Sequence, residues 1–174
     1  MTAAPGPEPT VTLVLGGTRS GKSAVAERLT AETERTWGCA VTYVATASVH
    51  DDEMAQRVMA HRARRPPSWA TVELQQAEQL PAVLLGIEGA VLLDSLGAWL
   101  ASSPEMVVDA GSLGAALRSR PGPTVVVSEE VGLAVHPTTS AGRAFTDALG
   151  SLNQAIAAAA DRAVLVVAGR ILEL

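Results

Sequence analysis

Eight residues, Gly16-Gly17-Thr18-Arg19-Ser20-Gly21-Lys22-Ser23, constrain this chain more than any others. They match G-x-x-x-x-G-K-[ST] and lie between an apolar run, "TVTLVL" (10–15), and a helical pattern, "KSAVAERLTAETER" (22–35). A strand that turns through glycines straight into a helix gathers backbone N–H groups around an anion, with the helix N-terminus behind them. The glycines bring the backbone close to phosphate oxygens without an intervening Cβ. Lys22 is then placed to reach the β- and γ-phosphates, and the Ser23 hydroxyl to ligate Mg²⁺. The glycines do not fall as G-x-G-x-x-G, which argues against a dinucleotide fold.

Further apolar, β-branched runs recur along the chain. They are "AVTYVA" (40–45), "WATVEL" (69–74), "AVLLD" (90–94), "TVVVS" (124–128) and "AVLVVA" (163–168). Short continuous apolar runs fit strands covered on both faces of a parallel sheet. "WATVEL" alternates, which suits a strand nearer an edge. After Ala168, "GR" followed by "ILEL" (171–174) reads as a two-residue link into a final antiparallel strand. Between the strands, "AGRAFTDALGSLNQAIAAAADR" (141–162) carries an apolar stripe of Phe145, Leu149, Leu152 and Ile156, read as core packing. "DAGSLGAALRSRPGP" (109–123) is a weaker helix with a Pro/Gly stop, and "LASSPEM" (100–106) reads as loop. The alternation predicts an α/β, three-layer P-loop fold with a mostly parallel sheet and a C-terminal antiparallel strand. Residues 1–9 read as a flexible tail and 10–174 as one domain.

Composition narrows the function classes. The chain has 174 residues, 48% of them hydrophobic, and a formal net charge of −5. That charge offers no general attraction to nucleic acid. No apolar run reaches the length of a membrane span, and the start lacks the features of a signal peptide, so a cytoplasmic protein is expected. One cysteine, Cys39, excludes an internal disulfide and reads as a buried small hydrophobe.

A P-loop needs a carboxylate for its metal. Asp94 ends a buried strand, the place expected for a Mg²⁺-organising acid, although a helix-capping Asp would occupy the same position. Glu129 and Glu130 compete with it. Adjacent side chains point in different directions, so one of those two should face the site. A second unusual stretch is "HDDEMAQRVMAHRARRPPSW" (50–69). Asp51 or Asp52 can cap a helix that stops before Pro66-Pro67. On that helix His61 lies four residues from both Arg57 and Arg65. Two cations disfavour a third, so the imidazole should be neutral at pH 7, a nucleophile beside phosphate-binding groups. A solvated basic face would read the same way. His50 reads as a cap-region residue and His136 as a loop residue.

Together, "GGTRSGKS", "YVATA", "DDEMAQRVMAHRARRPPSW" with "TVE", "LLDSLGAWL", "VVVSEEVG" and "LNQAIAAAADRAVLVVAG" resemble the bifunctional adenosylcobinamide kinase/adenosylcobinamide-phosphate guanylyltransferase family. The histidine helix followed by Trp-x-Thr-x-Glu is the specific part, since many NTPases share the loop. The resemblance implies a RecA-like fold and a homotrimer. It also implies two reactions: phosphorylation of adenosylcobinamide with ATP or GTP, and transfer of GMP from GTP to adenosylcobinamide phosphate through a guanylyl-histidine. By the same resemblance His61 and Lys22 are catalytic. Residues 16–23, Thr46, Ala47, Ser48, Arg62, Ala63, Arg64, Arg65, Glu73 and Asp94 contact nucleotide, and Ser23 and Asp94 hold Mg²⁺. The chain departs from the family pattern at Glu129, where Asn is usual, at Ser95 and Gly97, where Cys and Thr are common, and in "HPTTS" (136–140). The residues alone also allow a P-loop kinase for another small alcohol, without a covalent histidine, or a non-catalytic nucleotide-dependent interaction module.

Overall fold

The computed structural model describes residues 10–47 and 65–174. Seven strands form one sheet in the order β3-β2-β4-β5-β1-β6-β7. They are β1 (Val11–Gly16), β2 (Val41–Ala45), β3 (Ala70–Glu73), β4 (Ala90–Asp94), β5 (Thr124–Glu129), β6 (Arg162–Val167) and β7 (Arg170–Glu173). All neighbours pair in parallel except β6 and β7. Among the described residues the α-helices are α1 (Lys22–Trp37), α2 (Leu80–Leu85), α3 (Leu96–Ser102), α4 (Ala110–Ser119) and α5 (Ser140–Ala159).

The continuous apolar runs are strands whose two faces are both covered. In β4, Val91 and Leu93 join one core with Leu80, Leu84, Trp99, Leu113, Leu117, Leu149 and Ile156 from α2 to α5. Ala90 and Leu92 face the other side, with Val14, Tyr43 and Val127 against Val25 and Ala26 of α1. This is the expected three-layer arrangement, helices on both faces of the sheet. The alternating β3 lies at the sheet edge, with Val72 its only partly buried residue.

Three readings need correction. The final hairpin turns through Ala168 and Gly169, not Gly169 and Arg170, because Val167 pairs with Arg170. Both turn residues have positive φ, 50° and 74°, the requirement of a type I′ link that matches the twist of the flanking strands. "LASSPEM" is not loop throughout: α3 runs to Ser102, and a 3₁₀ turn follows over Pro104–Met106. The Ser95 side chain caps α3 by accepting from Ala98 N at 3.3 Å, and Trp99 and Leu100 bury its inner face. Cys39 is only half-buried, at the margin of the α1-side core.

At the edge of the sheet opposite the strand carboxyl ends, the buried Arg120 ties the loop entering β5 to the loop entering β4. Its guanidinium donates to Gly122 O, Pro123 O and Thr124 Oγ1, and to Ile87 O and Gly89 O, at 2.5 to 3.2 Å. Burial pushes its pKa down, to about 10, so it remains charged at neutral pH.

Candidate active site

Chain order along the sheet decides where a ligand can sit. From β1 the chain crosses to β2 by α1 on one face, and from β5 it crosses to β6 by α5 on the other. Such a reversal opens a crevice at the carboxyl ends of the strands. The loop 16–21 lies there, beside the ends of β4 and β5.

The loop's backbone is set by its glycines and by a neighbour outside it. Gly21 has φ 92° and caps α1. A Cβ on Gly16 would meet Ser20 Oγ at 2.4 Å and Val166 O at 3.0 Å. The Ser20 hydroxyl accepts from Lys22 N at 3.3 Å. Ser20 O accepts from Gly169 N at 2.8 Å, so the tip of the β6–β7 hairpin braces the loop. That brace was not foreseen from sequence; its only trace there was the glycine of a hairpin link. Arg19 bends the loop at φ 58°. Thr18 and Arg19 are exposed, while Gly17, Ser20, Lys22 and Ser23 are partly so.

Of the two adjacent acids, Glu129 faces the site. Its Oε1 lies 3.8 Å from Lys22 Nζ. Its carboxylate accepts from Ser95 Oγ at 3.0 Å and from Gly97 N at 3.1 Å. A Cβ at position 97 would stand 2.1 Å from Glu129 Oε2, so glycine there gives the carboxylate its seat. Three departures from the family pattern, Glu129, Ser95 and Gly97, thus meet in space. Asn153 of α5 fixes the strand end by donating to Glu129 O at 3.0 Å, and its own Oδ1 accepts from Ser128 Oγ at 2.6 Å. Glu130 turns away and caps its own loop, accepting from Gly132 N and Leu133 N at 2.9 and 3.0 Å.

Asp94 is not the cap of α3; Ser95 is. Asp94 Oδ2 instead accepts from the Tyr43 phenol at 3.1 Å. Burial, then the charge of Asp94, holds that phenol's pKa far above its usual value. Tyr43 was absent from the sequence-derived site. Its ring carries the Arg65 guanidinium 3.6 Å from the centroid. Thr46 is buried and engaged: its hydroxyl donates to Ser95 O at 2.7 Å and accepts from Ser95 N at 2.8 Å. It holds the turn after Asp94. Ala47 follows it, half-buried, and Glu73 is exposed at the end of β3, in register with Ala45. Trp69 anchors the chain after Arg65, its Nε1 donating to Glu34 Oε2 at 3.0 Å. Ser48, His61, Arg62, Ala63 and Arg64 lie outside the described residues.

Among the described residues no group of three or more His, Cys, Asp or Glu side chains could by itself hold a metal. A hydroxyl such as Ser23 and one carboxylate such as Asp94 nevertheless fit Mg²⁺ arriving on a nucleotide, since that ion keeps water and phosphate in most of its coordination sites.

Comparison with known proteins agrees with this arrangement. Among solved structures, a KaiC-like protein from Pyrococcus horikoshii aligns with TM-score 0.56 at 13% identity, covering 91% of this chain and 71% of that one. The flagellar accessory protein FlaH from Methanocaldococcus jannaschii aligns with TM-score 0.56 at 13% identity, covering 95% and 76%. These likenesses establish the RecA/KaiC-like P-loop fold. The bifunctional adenosylcobalamin biosynthesis protein CobP of Pseudomonas aeruginosa is 42% identical over 166 residues, covering 90% of this chain and 92% of the relative. The bifunctional adenosylcobalamin biosynthesis protein CobU of Escherichia coli is 36% identical over 177 residues, covering 90% and 95%. The family model described as cobinamide kinase / cobinamide phosphate guanyltransferase matches residues 12–174, and the chain belongs to that family.

Proposed function

We propose that this chain performs both reactions of its family at the carboxyl edge of the sheet, with His61 as the covalent carrier of GMP. In the kinase reaction the hydroxyl oxygen of adenosylcobinamide attacks the γ-phosphorus of ATP or GTP, and the nucleoside diphosphate leaves. In the second reaction a ring nitrogen of His61 attacks the α-phosphorus of GTP. An N–P bond forms, the bond to the bridging oxygen breaks, and pyrophosphate departs. A phosphate oxygen of adenosylcobinamide phosphate then displaces the imidazole, giving adenosyl-GDP-cobinamide.

The chain's own groups supply charge stabilisation. The N–H groups of residues 16–21 and Lys22 would grip the phosphates, and Arg62, Arg64 and Arg65 would balance charge near the histidine. Ser23 and Asp94 would hold Mg²⁺, which neutralises phosphate oxygens when bound. The same reading includes a homotrimer in the cytoplasm; no described helix is long and apolar enough to cross a membrane.

The observation that carries the reading is Lys22, held by a braced glycine loop beside the ends of β4 and β5, in a chain that matches its family over residues 12–174. Incubation with GTP and adenosylcobinamide phosphate should release pyrophosphate and yield a GDP-linked corrinoid. With α-labelled GTP the protein should retain acid-labile label after denaturation. A His61→Ala protein that still retained it would remove His61 from the mechanism.

A further inference from the structure

We propose that Tyr43 is a positioning residue that couples the acid of the phosphate site to the arginine end of the histidine segment, its hydroxyl holding Asp94 and its ring face holding Arg65. This rests on the reading of Asp94 and Arg65 as nucleotide-site residues given above.

Three observations carry it. First, Tyr43 is rigidly placed. It sits within β2, opposite Leu92 of β4, and only 6% of its surface is exposed. Asp94 is opposite Ala45, two residues further along, so both side chains rise on the α1 face. Second, both ends of the side chain are engaged. The hydroxyl donates to Asp94 Oδ2 at 3.1 Å, and the Arg65 guanidinium lies 3.6 Å from the ring centroid. That bond orients the Asp94 carboxylate through one of its oxygens, Oδ2. Third, Arg65 is set from its other side by a short stiff segment. Pro66 and Pro67 follow it, Trp69 N donates back to Pro66 O at 3.1 Å, and the buried Trp69 is pinned to Glu34 of α1. Arg65 stands four residues beyond His61 in sequence. Whatever fixes Arg65 therefore fixes the exit of the segment that bears the proposed nucleophile.

The two arms can be separated by substitution. Tyr43→Phe keeps the ring under Arg65 and removes the hydrogen bond to Asp94. Tyr43→Met removes both while keeping a large apolar side chain in the core. The test is calorimetric titration of Mg²⁺–GTP into the wild type, Tyr43→Phe, Tyr43→Met, Arg65→Ala and the Tyr43→Met/Arg65→Ala double variant. Tyr43→Met should weaken binding about tenfold, and most of that loss should vanish in the Arg65→Ala background, the mark of a shared interaction. Tyr43→Phe should retain the Arg65 coupling while requiring several times more Mg²⁺ for half-maximal GTP binding. Fully additive losses, or Tyr43→Met binding like the wild type, overturn the proposal. Should Tyr43→Met fail to fold, the Phe variant paired with Arg65→Ala decides: the Arg65 effect must be the same with Phe as with Tyr, and the Mg²⁺ requirement must still rise. Capture of labelled GMP by the wild type tests the His61 reading separately, and its failure would leave the binding cycle interpretable.

Discussion

Replacing Glu129 by glutamine removes one negative charge from beside the P-loop lysine and changes little else. With its amide oxygen at the Oε2 position, glutamine can still accept from Ser95 Oγ, 3.2 Å from that oxygen, and from Gly97 N, 3.1 Å from it. The carboxylate lies 3.8 Å from Lys22 Nζ. An arriving triphosphate must draw Lys22 away and settle its own negative charge nearby. Two like charges about 5 Å apart repel by roughly 3 kcal/mol at an effective dielectric constant of about 20. The Glu129 side chain is 32% exposed, however, so water and salt screen it, and a net penalty of about 1 kcal/mol is the reasonable size. Glu129→Gln should therefore bind GTP about fivefold more tightly. Calorimetric titration at low and at high ionic strength measures this, and the gain should fade towards roughly 1 M salt, where the screening length is about 3 Å. Glu129→Asp keeps the charge and should show no gain. Unchanged or weaker GTP binding by Glu129→Gln at low salt would refute the repulsion argument and make the carboxylate a favourable partner of the bound ligand.

Other outcomes follow from the same geometry. Arg120→Ala deletes a buried charge and the donor of five hydrogen bonds, so urea denaturation should show a loss of about 3–5 kcal/mol. Gly16→Ala places a methyl group 2.4 Å from Ser20 Oγ, so it should weaken GTP binding at least about tenfold while costing about 1–3 kcal/mol of stability. Tyr43 is the only tyrosine in the chain, so absorbance near 295 nm reports its ionisation alone. Its pKa is raised in the folded state, so the native protein keeps a proton that the unfolded chain releases near pH 10. The stabilisation is complete below that pH and lost as pH rises above it. Phenolate should thus appear only together with alkaline unfolding, and a simple titration near pH 10 in folded protein would contradict the buried Tyr43–Asp94 bond.

Much of the fold was legible because it is written locally. The seven strands coincide with seven apolar runs to within a residue or two. β3 betrayed its edge position by alternation, and α5 its buried stripe by periodicity, with Leu149, Leu152 and Ile156 enclosed and Phe145 less so. The loop of residues 16–23 was legible because glycine, lysine and serine at that spacing have one shared physical use. The turn residues were less legible. Ala168 adopts φ 50° where sequence would favour Gly, Asn or Asp, because β6 and β7 set the register and the turn follows.

The chain by itself determined the elements and the phosphate loop, since hydrophobic period and backbone freedom are properties of neighbouring residues. Strand order was decided only on folding, when β5 entered between β4 and β1. That insertion brings Glu129 to Lys22 and Gly97 to Glu129, and the pairing of β6 with β1 brings Gly169 to Ser20, contacts between positions 32 to 149 residues apart. Glu130 was left facing away, and the pairing of β2 with β4 gave Tyr43 its partner Asp94. No local pattern encodes such pairs. They follow from which strands exchange backbone hydrogen bonds and in what register, and a register is chosen by the burial of both faces at once.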